Sequence, residues 1–417
     1  MEAVVPQLAW FGDSELKLEF PEEWDVNVQI MKGQGKRSVD KEKIIHALRN
    51  PIGTKPLSTL AQGKEEVVII FDDMTRPTKV FEVVPHIINE LREAGIKDDN
   101  IRFVCANGAH GVFDRTDFVK KLGENVVESH AVFNHNPYAN LTYCGATRYG
   151  TPVEINAEVM ACDLKIAVGC IVPHPFYGYG GGAKIALPGV ASMRSISFNH
   201  GDLGGFSRAQ GHREVHPSCD SAYGRVNEES IVRLDSEEAA GVMGLDIVIN
   251  VLVDLRRNST DIFAGDVIKV QREGARAAEE HYLTPLLPDA DVVVSNAYSK
   301  ANEAAIASWP ALTLKQGEDL VLIVNAPTGQ VAHYIHGRWG TEVFGDLYLV
   351  PPNLLDKAGR IILFSEYHER QPWLELVPPE KTVKVKTWDE VVEELKNRHK
   401  NKAKVAVYPD ATIQKPF

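Results

Sequence analysis

Three polar stretches, each following a run of apolar residues, hold the side chains best suited to chemistry: Asp73-Met74-Thr75-Arg76-Pro77, Asn107-Gly108-Ala109-His110, and the long segment from His174 to His200. An arginine at the end of a strand can grip a carboxylate or phosphate through two parallel hydrogen bonds, with Asp73 orienting it or accepting a ligand hydroxyl. A turn held by an ordinary salt bridge is the plainer reading of the same residues. His110 and His174 form a candidate pair for proton transfer, because each follows a buried strand and neither belongs to an apolar helical stripe. Two bases facing each other across one carbon are what a racemase requires, since the proton leaves one face and returns to the other. Gly180, Gly181 and Gly182, followed by Lys184, favour close approach of the backbone to an anionic ligand, although a turn needing positive φ would select the same glycines. His200, in Ser-Phe-Asn-His-Gly, is a candidate metal ligand or an imidazole capping a helix end.

Other motifs fail on their chemistry. The run Gly178 to Lys184 is not a nucleoside-triphosphate loop, because Ala183 stands where a glycine belongs and Ile185 where Ser or Thr would hold magnesium. The dinucleotide pattern Gly178-x-Gly180-x-x-Ala183 is met only formally and starts well past its strand. His212, His216, His333 and His336 lack the carboxylate or cysteine partners of a metal site and read as solvated. Ser207, Ser218 and Ser308 have no Gly-x-Ser-x-Gly elbow around them, which disfavours a serine hydrolase.

The elements that must position these residues alternate. Glu66 to Phe71 reads as a buried strand and Val80 to Leu91 as an amphipathic helix. Ile101 to Cys105 and the helix from Arg115 to Leu122 repeat the unit, and Leu164 to Val168 with a helix from about Val190 repeats it again. Such alternation predicts an α/β fold, its parallel strands sending their outgoing loops to one edge where ligands bind. Downstream come a strand pair at Asp246 to Asp254 and Ser259 to Ala264 and a helix from Asp266 to His281. A second α/β run follows, with strands at 291–294, 320–324 and 361–364, a helix at 301–308 and another at 388–398. We therefore expect two α/β domains with mostly parallel sheets and an active-site cleft between them: an N-terminal domain at 1–284, a C-terminal domain at 285–400, and a last strand and tail at 401–417 able to pack back on the N-terminal domain.

Composition limits the partners. The chain has 417 residues, 44% of them hydrophobic and 24% charged, with a net charge of -12. A surface of that sign opposes nucleic acid, which is bound by clustered lysine and arginine. The five cysteines form no Cys-x-x-Cys pair, so neither a disulfide framework nor a zinc knuckle is expected and the thiols read as reduced. No window approaches the roughly 20 apolar residues of a membrane span, and the N-terminus has no signal-peptide pattern. A cytoplasmic protein with a small-molecule partner is the expectation.

Taken together and in order, Asp73-Met-Thr-Arg76-Pro77, Asn-Gly-Ala-His110, Pro173-His174, Gly-Gly-Gly-Ala-Lys184-Ile-Ala-Leu-Pro188-Gly189-Val190 and Asn199-His200 resemble the nickel-pincer-nucleotide lactate racemase family. That resemblance implies a cofactor built from nicotinic acid mononucleotide, a pyridinium-3,5-bisthiocarboxylic acid mononucleotide whose nickel is held by carbon and two sulfurs. It implies that Lys184 tethers this group covalently, that His200 ligates the nickel, and that His110 and His174 alternate as acid and base. Asp73, Thr75, Arg76 and Gly180 to Gly182 would contact the cofactor, with Arg76 also available to substrate. The implied reaction inverts the hydroxyl-bearing carbon of a 2-hydroxy acid by reversible hydride transfer, and the implied partners are the cofactor-making and nickel-inserting enzymes. Lactate-specific members are similar in carrying a Tyr-Gln-x-x-Lys cluster early in the second domain. Here Glu303 to Trp309 has neither glutamine nor lysine, so Tyr298, Lys300 and Trp309 become the candidate substrate contacts, and a related hydroxy acid or sugar acid the expected substrate. A nicotinamide-dependent oxidoreductase and a nucleotide-binding protein without turnover are the competing readings.

Overall fold

Runs of valine and isoleucine buried on both sides build the sheet that carries the candidate site. In the computed structural model, which describes residues 1–205, 215–219, 222–335, 355–368 and 377–416, Val67–Asp72, Ile101–Ala106 and Leu164–Cys170 are strands with nearly every side chain buried. That is the pattern of parallel strands covered on both faces. Six strands lie in the order 259–265, 247–253, 164–170, 67–72, 101–106 and 131–134. All neighbours are parallel except Ser259–Gly265, which runs antiparallel to Ile247–Val253. The loops leaving 67–72, 101–106 and 164–170 therefore emerge at one edge, as the alternation predicted.

Between the strands, Val80–Glu82 is a 3₁₀ turn leading into the helix Val84–Glu93, and Arg115–Leu122 is helical with a capping box between Asp114 and Asp117. The helix expected from Val190 begins at Met193, because the Ser192 hydroxyl accepts from Ser195 N at 3.0 Å and caps it. It then widens into a π-helical turn, Phe198–Leu203, that contains His200. His200 thus lies buried in the last turn of this helical stretch.

The second sheet is ordered 382–385, 358–364, 314–323, 290–296, 404–408 and 25–28, parallel throughout. The hairpin Glu2–Gln7 with Ser14–Glu19 joins its core, where Val5, Leu18 and Trp24 pack with Val292, Val321 and Val405. The stretch expected to be a helix at 301–308 is instead a 3₁₀ segment, Tyr298–Thr313, interrupted at Lys300 and Glu303.

The chain divides into two compact units: Met1–Gln34, His281–Val331 and Leu349–Phe417 form one, and Gly35–Glu280 with Ala332–Tyr348 the other. This corrects the sequential partition at 284 and 400. The first 34 residues belong with the C-terminal sheet because strand 25–28 pairs with 404–408, and the 401–417 tail supplies an inner strand of that same sheet and does not return to the N-terminal one. No helix among the described residues is long and apolar enough to cross a membrane.

One buried histidine outside the candidate site makes the site-bearing unit acid-sensitive. His135 follows strand Ala131–Asn134; its Nε2–H donates to Ala191 O at 2.8 Å and its Nδ1 accepts from Asn156 Nδ2 at 3.2 Å, so only the neutral ring satisfies both. Burial pushes it from 6.5 down to about 4, against the pull of the Ala191 carbonyl. A histidine depressed in the folded state is protonated first in the unfolded chain, so its stabilising contribution is complete above pH 6.5 and is lost as pH falls from there to 4. The expected loss approaches about 3 kcal/mol. Urea midpoints should fall across that window in the native chain and more shallowly in His135→Gln; parallel curves would refute the assignment.

Candidate active site

The loop after Val67–Asp72 is fixed by a residue with no motif around it. Lys121, fully buried at the end of helix 115–122, donates from Nζ to the carbonyls of Asp73 at 2.9 Å and Arg76 at 3.1 Å and pairs with Asp72 Oδ1 at 2.8 Å. Thr78 Oγ1 donates to the other Asp72 oxygen at 2.5 Å. Burial pushes the Asp72 carboxyl up while Lys121 and Thr78 oppose the shift. A buried cation surrounded by three oxygens is compensated, and a strap of this kind holds Asp73 to Arg76 in one conformation.

Asp73 itself is 3% exposed. Its Oδ1 accepts from Thr75 N at 2.8 Å and Thr75 Oγ1 at 2.6 Å, and its Oδ2 meets His110 Nδ1 at 2.5 Å. Burial favours the neutral acid, but His110, Arg76 and Thr75 outweigh it and hold the carboxyl at about 2. An ionised carboxylate can only accept, so the His110 proton sits on Nδ1 and the Nε2 lone pair is left facing away from Asp73. That is the arrangement of an oriented general base.

His110 is held by its main chain as well. Tyr334 N donates to Ala109 O at 2.8 Å and Gly111 N to Ala332 O at 2.7 Å, an antiparallel exchange that sets the His333 ring edge-on to His110 with centroids 4.7 Å apart. His333, expected in solvent, is half-buried there. Among the other histidines read as solvated, His216 bonds Ser218 Oγ at 2.8 Å within its own turn, and His212 and His336 lie outside the described residues, as does Ser207.

The third loop bonds to the second: Gly108 N donates to Gly189 O at 2.9 Å. In it, His174 Nδ1 accepts from the main-chain N–H groups of Phe176 at 3.2 Å and Tyr177 at 3.4 Å, and His174 Nε2 lies 3.3 Å from Lys184 Nζ. Tyr177 is buried beside all of them. Its ring centroid is 4.1 Å from Lys184 Nζ, 5.4 Å from the His174 ring and 5.8 Å from the His200 ring. The structure therefore brings Asp73, Thr75, Arg76 and His110 together on two adjoining loops, and His174, Lys184 and His200 around one aromatic ring.

Two of the glycines show the turn geometry that is one of the two causes their spacing allows. Gly181 and Gly182 adopt φ of 75° and 59°, and a Cβ on either would lie 2.5 Å from Ile171 or 2.7 Å from Gln271. The Gly182 N–H is taken by Asn250 Oδ1 at 2.8 Å. Positive φ and close packing against Ile171 and the helix residue Gln271 require glycine at these two positions. Gly180 has ordinary room for a Cβ.

The proposed substrate contacts lie in the other unit and have internal partners there. Tyr298 OH donates to Asp13 Oδ1 at 2.6 Å, Lys300 pairs with Glu303 at 2.8 Å while 1% exposed, and Trp309 Nε1 donates to Ala411 O at 2.7 Å with its ring on Tyr408. Each is tied into the packing of that unit.

A family model described as the lactate racemase N-terminal domain matches residues 11–210. The lactate racemase of Thermoanaerobacterium thermosaccharolyticum is 31% identical over 292 residues, 69% of this chain and 65% of that protein. The lactate racemase of Lactiplantibacillus plantarum is 28% identical over 405 residues, 89% of each chain. The chain belongs to the lactate racemase family. The fold agrees: the T. thermosaccharolyticum lactate racemase apoprotein superposes over the whole of both chains with a TM-score of 0.73 at 24% identity. A Thermotoga maritima protein, matched over 92% of this chain and all of its own, gives 0.64 at 15%.

In this lactate racemase family member, the residues that sequence reasoning passed over are those that support the site from behind: Lys121 under the Asp73 loop, His333 beside His110, and Tyr177 between His174, Lys184 and His200. Tyr177 alone carried a signal, an aromatic within the glycine-rich segment. Lys121 sits among charged residues of an ordinary amphipathic helix, and His333 meets His110 only through the fold.

Proposed function

We propose that this chain is an isomerase that inverts the hydroxyl-bearing carbon of a 2-hydroxy acid, the class to which lactate belongs, with His110 and His174 as the acid/base pair. The observation that carries it is the placement of a carboxylate-oriented imidazole, His110, and a lysine-paired imidazole, His174, on adjoining loops of one sheet edge. Membership of the lactate racemase family supports the reaction class.

The donor set suits a nickel-pincer nucleotide: an amine at Lys184, a buried imidazole at His200, and an arginine at position 76 for a carboxylate or phosphate. Lys184 would tether the group, His200 would ligate its nickel, and Asp73, Thr75, Arg76 and the turn at Gly180 to Gly182 would border it. When bound, the group supplies a reversible acceptor for the α-hydride. The protein supplies position and protons. His110 Nε2, with its lone pair available, takes a hydroxyl proton; His174, on the other loop, serves the opposite approach. His174 Nε2 lies 3.3 Å from Lys184 Nζ, which sets the second acid/base candidate beside the amine that would tether the group.

The test is intact mass and nickel content of the chain co-produced with the enzymes that make and load the cofactor, together with chiral analysis of lactate and a panel of 2-hydroxy acids. An adduct present in the native chain and absent in Lys184→Ala, with interconversion of enantiomers, is the expected result. Unmodified, metal-free protein that consumes NAD would place the chain among oxidoreductases instead.

A further inference from the structure

Helix 231–243 carries a cluster of buried polar side chains that the reaction does not call for. Arg233, Asp235 and Ser236 are each no more than 1% exposed. Arg233 Nη2 donates to Tyr177 O at 2.9 Å and also bonds Tyr179 O. Asp235 accepts from Thr147 Oγ1 at 2.5 Å, Thr151 Oγ1 at 2.8 Å and Asn199 Nδ2 at 2.7 Å. The second Asn199 amide hydrogen goes to Val232 O at 3.0 Å, and its Oδ1 accepts from Tyr177 OH at 2.8 Å, with Ser236 Oγ 3.0 Å from that hydroxyl. Every polar group of Asn199 is thereby used, and one continuous network joins the helix to the residue preceding His200 and to the ring that touches Lys184, His174 and His200. A network so satisfied rigidifies what it holds, and a half-satisfied one would be costly.

We propose that Tyr177 is a positioning residue whose ring sets Lys184, His174 and His200 at fixed distances from one another, and that its hydroxyl, through Asn199, ties this wall to Asp235. The inference rests on the reading that Lys184 tethers the cofactor and His200 ligates its nickel. The two parts of Tyr177 separate chemically. Tyr177→Phe keeps the wall and cuts the tie to Asn199; Tyr177→Leu removes the wall; Asp235→Asn keeps shape and removes the acceptor for Thr147 and Thr151 or for Asn199.

The native chain and these variants, co-produced with the cofactor-making enzymes, are compared by intact mass for adduct occupancy and by nickel retained during dialysis, beside melting temperature. Leu91→Ala, a fully buried core truncation elsewhere in the unit, controls for general loss of stability. We expect Tyr177→Leu to lower adduct occupancy at least fivefold. Tyr177→Phe and Asp235→Asn should form the adduct but release nickel at least threefold faster, while Leu91→Ala melts lower with native occupancy and release. A native chain without adduct refutes the tether reading itself. A native chain with adduct, beside a Tyr177→Leu chain of equal occupancy, overturns the proposal. If Tyr177→Leu fails to fold, Tyr177→Phe decides, and a native nickel release rate in it overturns the proposal equally.

Discussion

Asp73→Asn is expected to lower turnover by a factor on the order of 10² to 10⁴ while leaving the fold intact. The carboxylate is buried, ionised above about pH 2, and bonded to His110 Nδ1 at 2.5 Å. It therefore decides which ring nitrogen carries the proton. An amide of the same shape can present its N–H₂ to Nδ1, which moves the proton to Nε2 and leaves His110 unable to accept one from a substrate hydroxyl. Volume is conserved, and Thr75 can still bond the amide oxygen, so the circular dichroism spectrum should match that of the native chain. The loss should fall on kcat more than on KM, because the ring stays in place and only its tautomer changes. A rate within threefold of native would mean that Asp73 is a turn residue, the plainer alternative that its sequence context allows.

Replacing either imidazole should be as severe. His110→Gln and His174→Gln are each expected to reduce racemisation by 10² to 10⁴, in the range of a lost general acid or base. The double variant should be little worse than the weaker single one, because an inversion that needs both residues is already blocked when one is missing. Chiral chromatography started from each enantiomer separately measures both directions. Losses that multiply in the double variant would show two independent contributions and argue against an alternating pair. A single variant of near-native rate would remove that histidine from the reaction.

Much of the site was legible because its pieces lie where polar residues interrupt runs of valine and isoleucine. Val67–Asp72 and Ile101–Ala106 are apolar on both faces, and whatever follows such a strand in a parallel sheet reaches the shared edge. That topology puts Asp73 and His110 at one edge, but their direct pairing is seen only in the structure, since the residues around Asp73 point to Arg76 or a ligand as its partner. Lys121 was illegible for the opposite reason: a lysine in Val119-Lys120-Lys121-Leu122 looks solvated, and only the fold turns it inward onto three oxygens. The glycines show the limit of composition. A turn that must avoid Ile171 and Gln271 and a loop that must approach an anion select the same residue. The partition of the chain was misread because nothing in Asp25–Val28 marks it as the neighbour of Lys404–Tyr408.

That last pairing has a consequence for biosynthesis. The sheet that contains residues 25–28 cannot be completed until residue 408 has left the ribosome, a delay on the order of tens of seconds at ordinary translation speeds. During that interval the core under the early hairpin, where Val5 and Leu18 pack with Trp24, lacks Val405 and Val407. A nascent chain stalled ahead of residues 404–408 would hold strand 25–28 without its only sheet neighbour among the described residues, an open edge that invites aggregation or chaperone engagement.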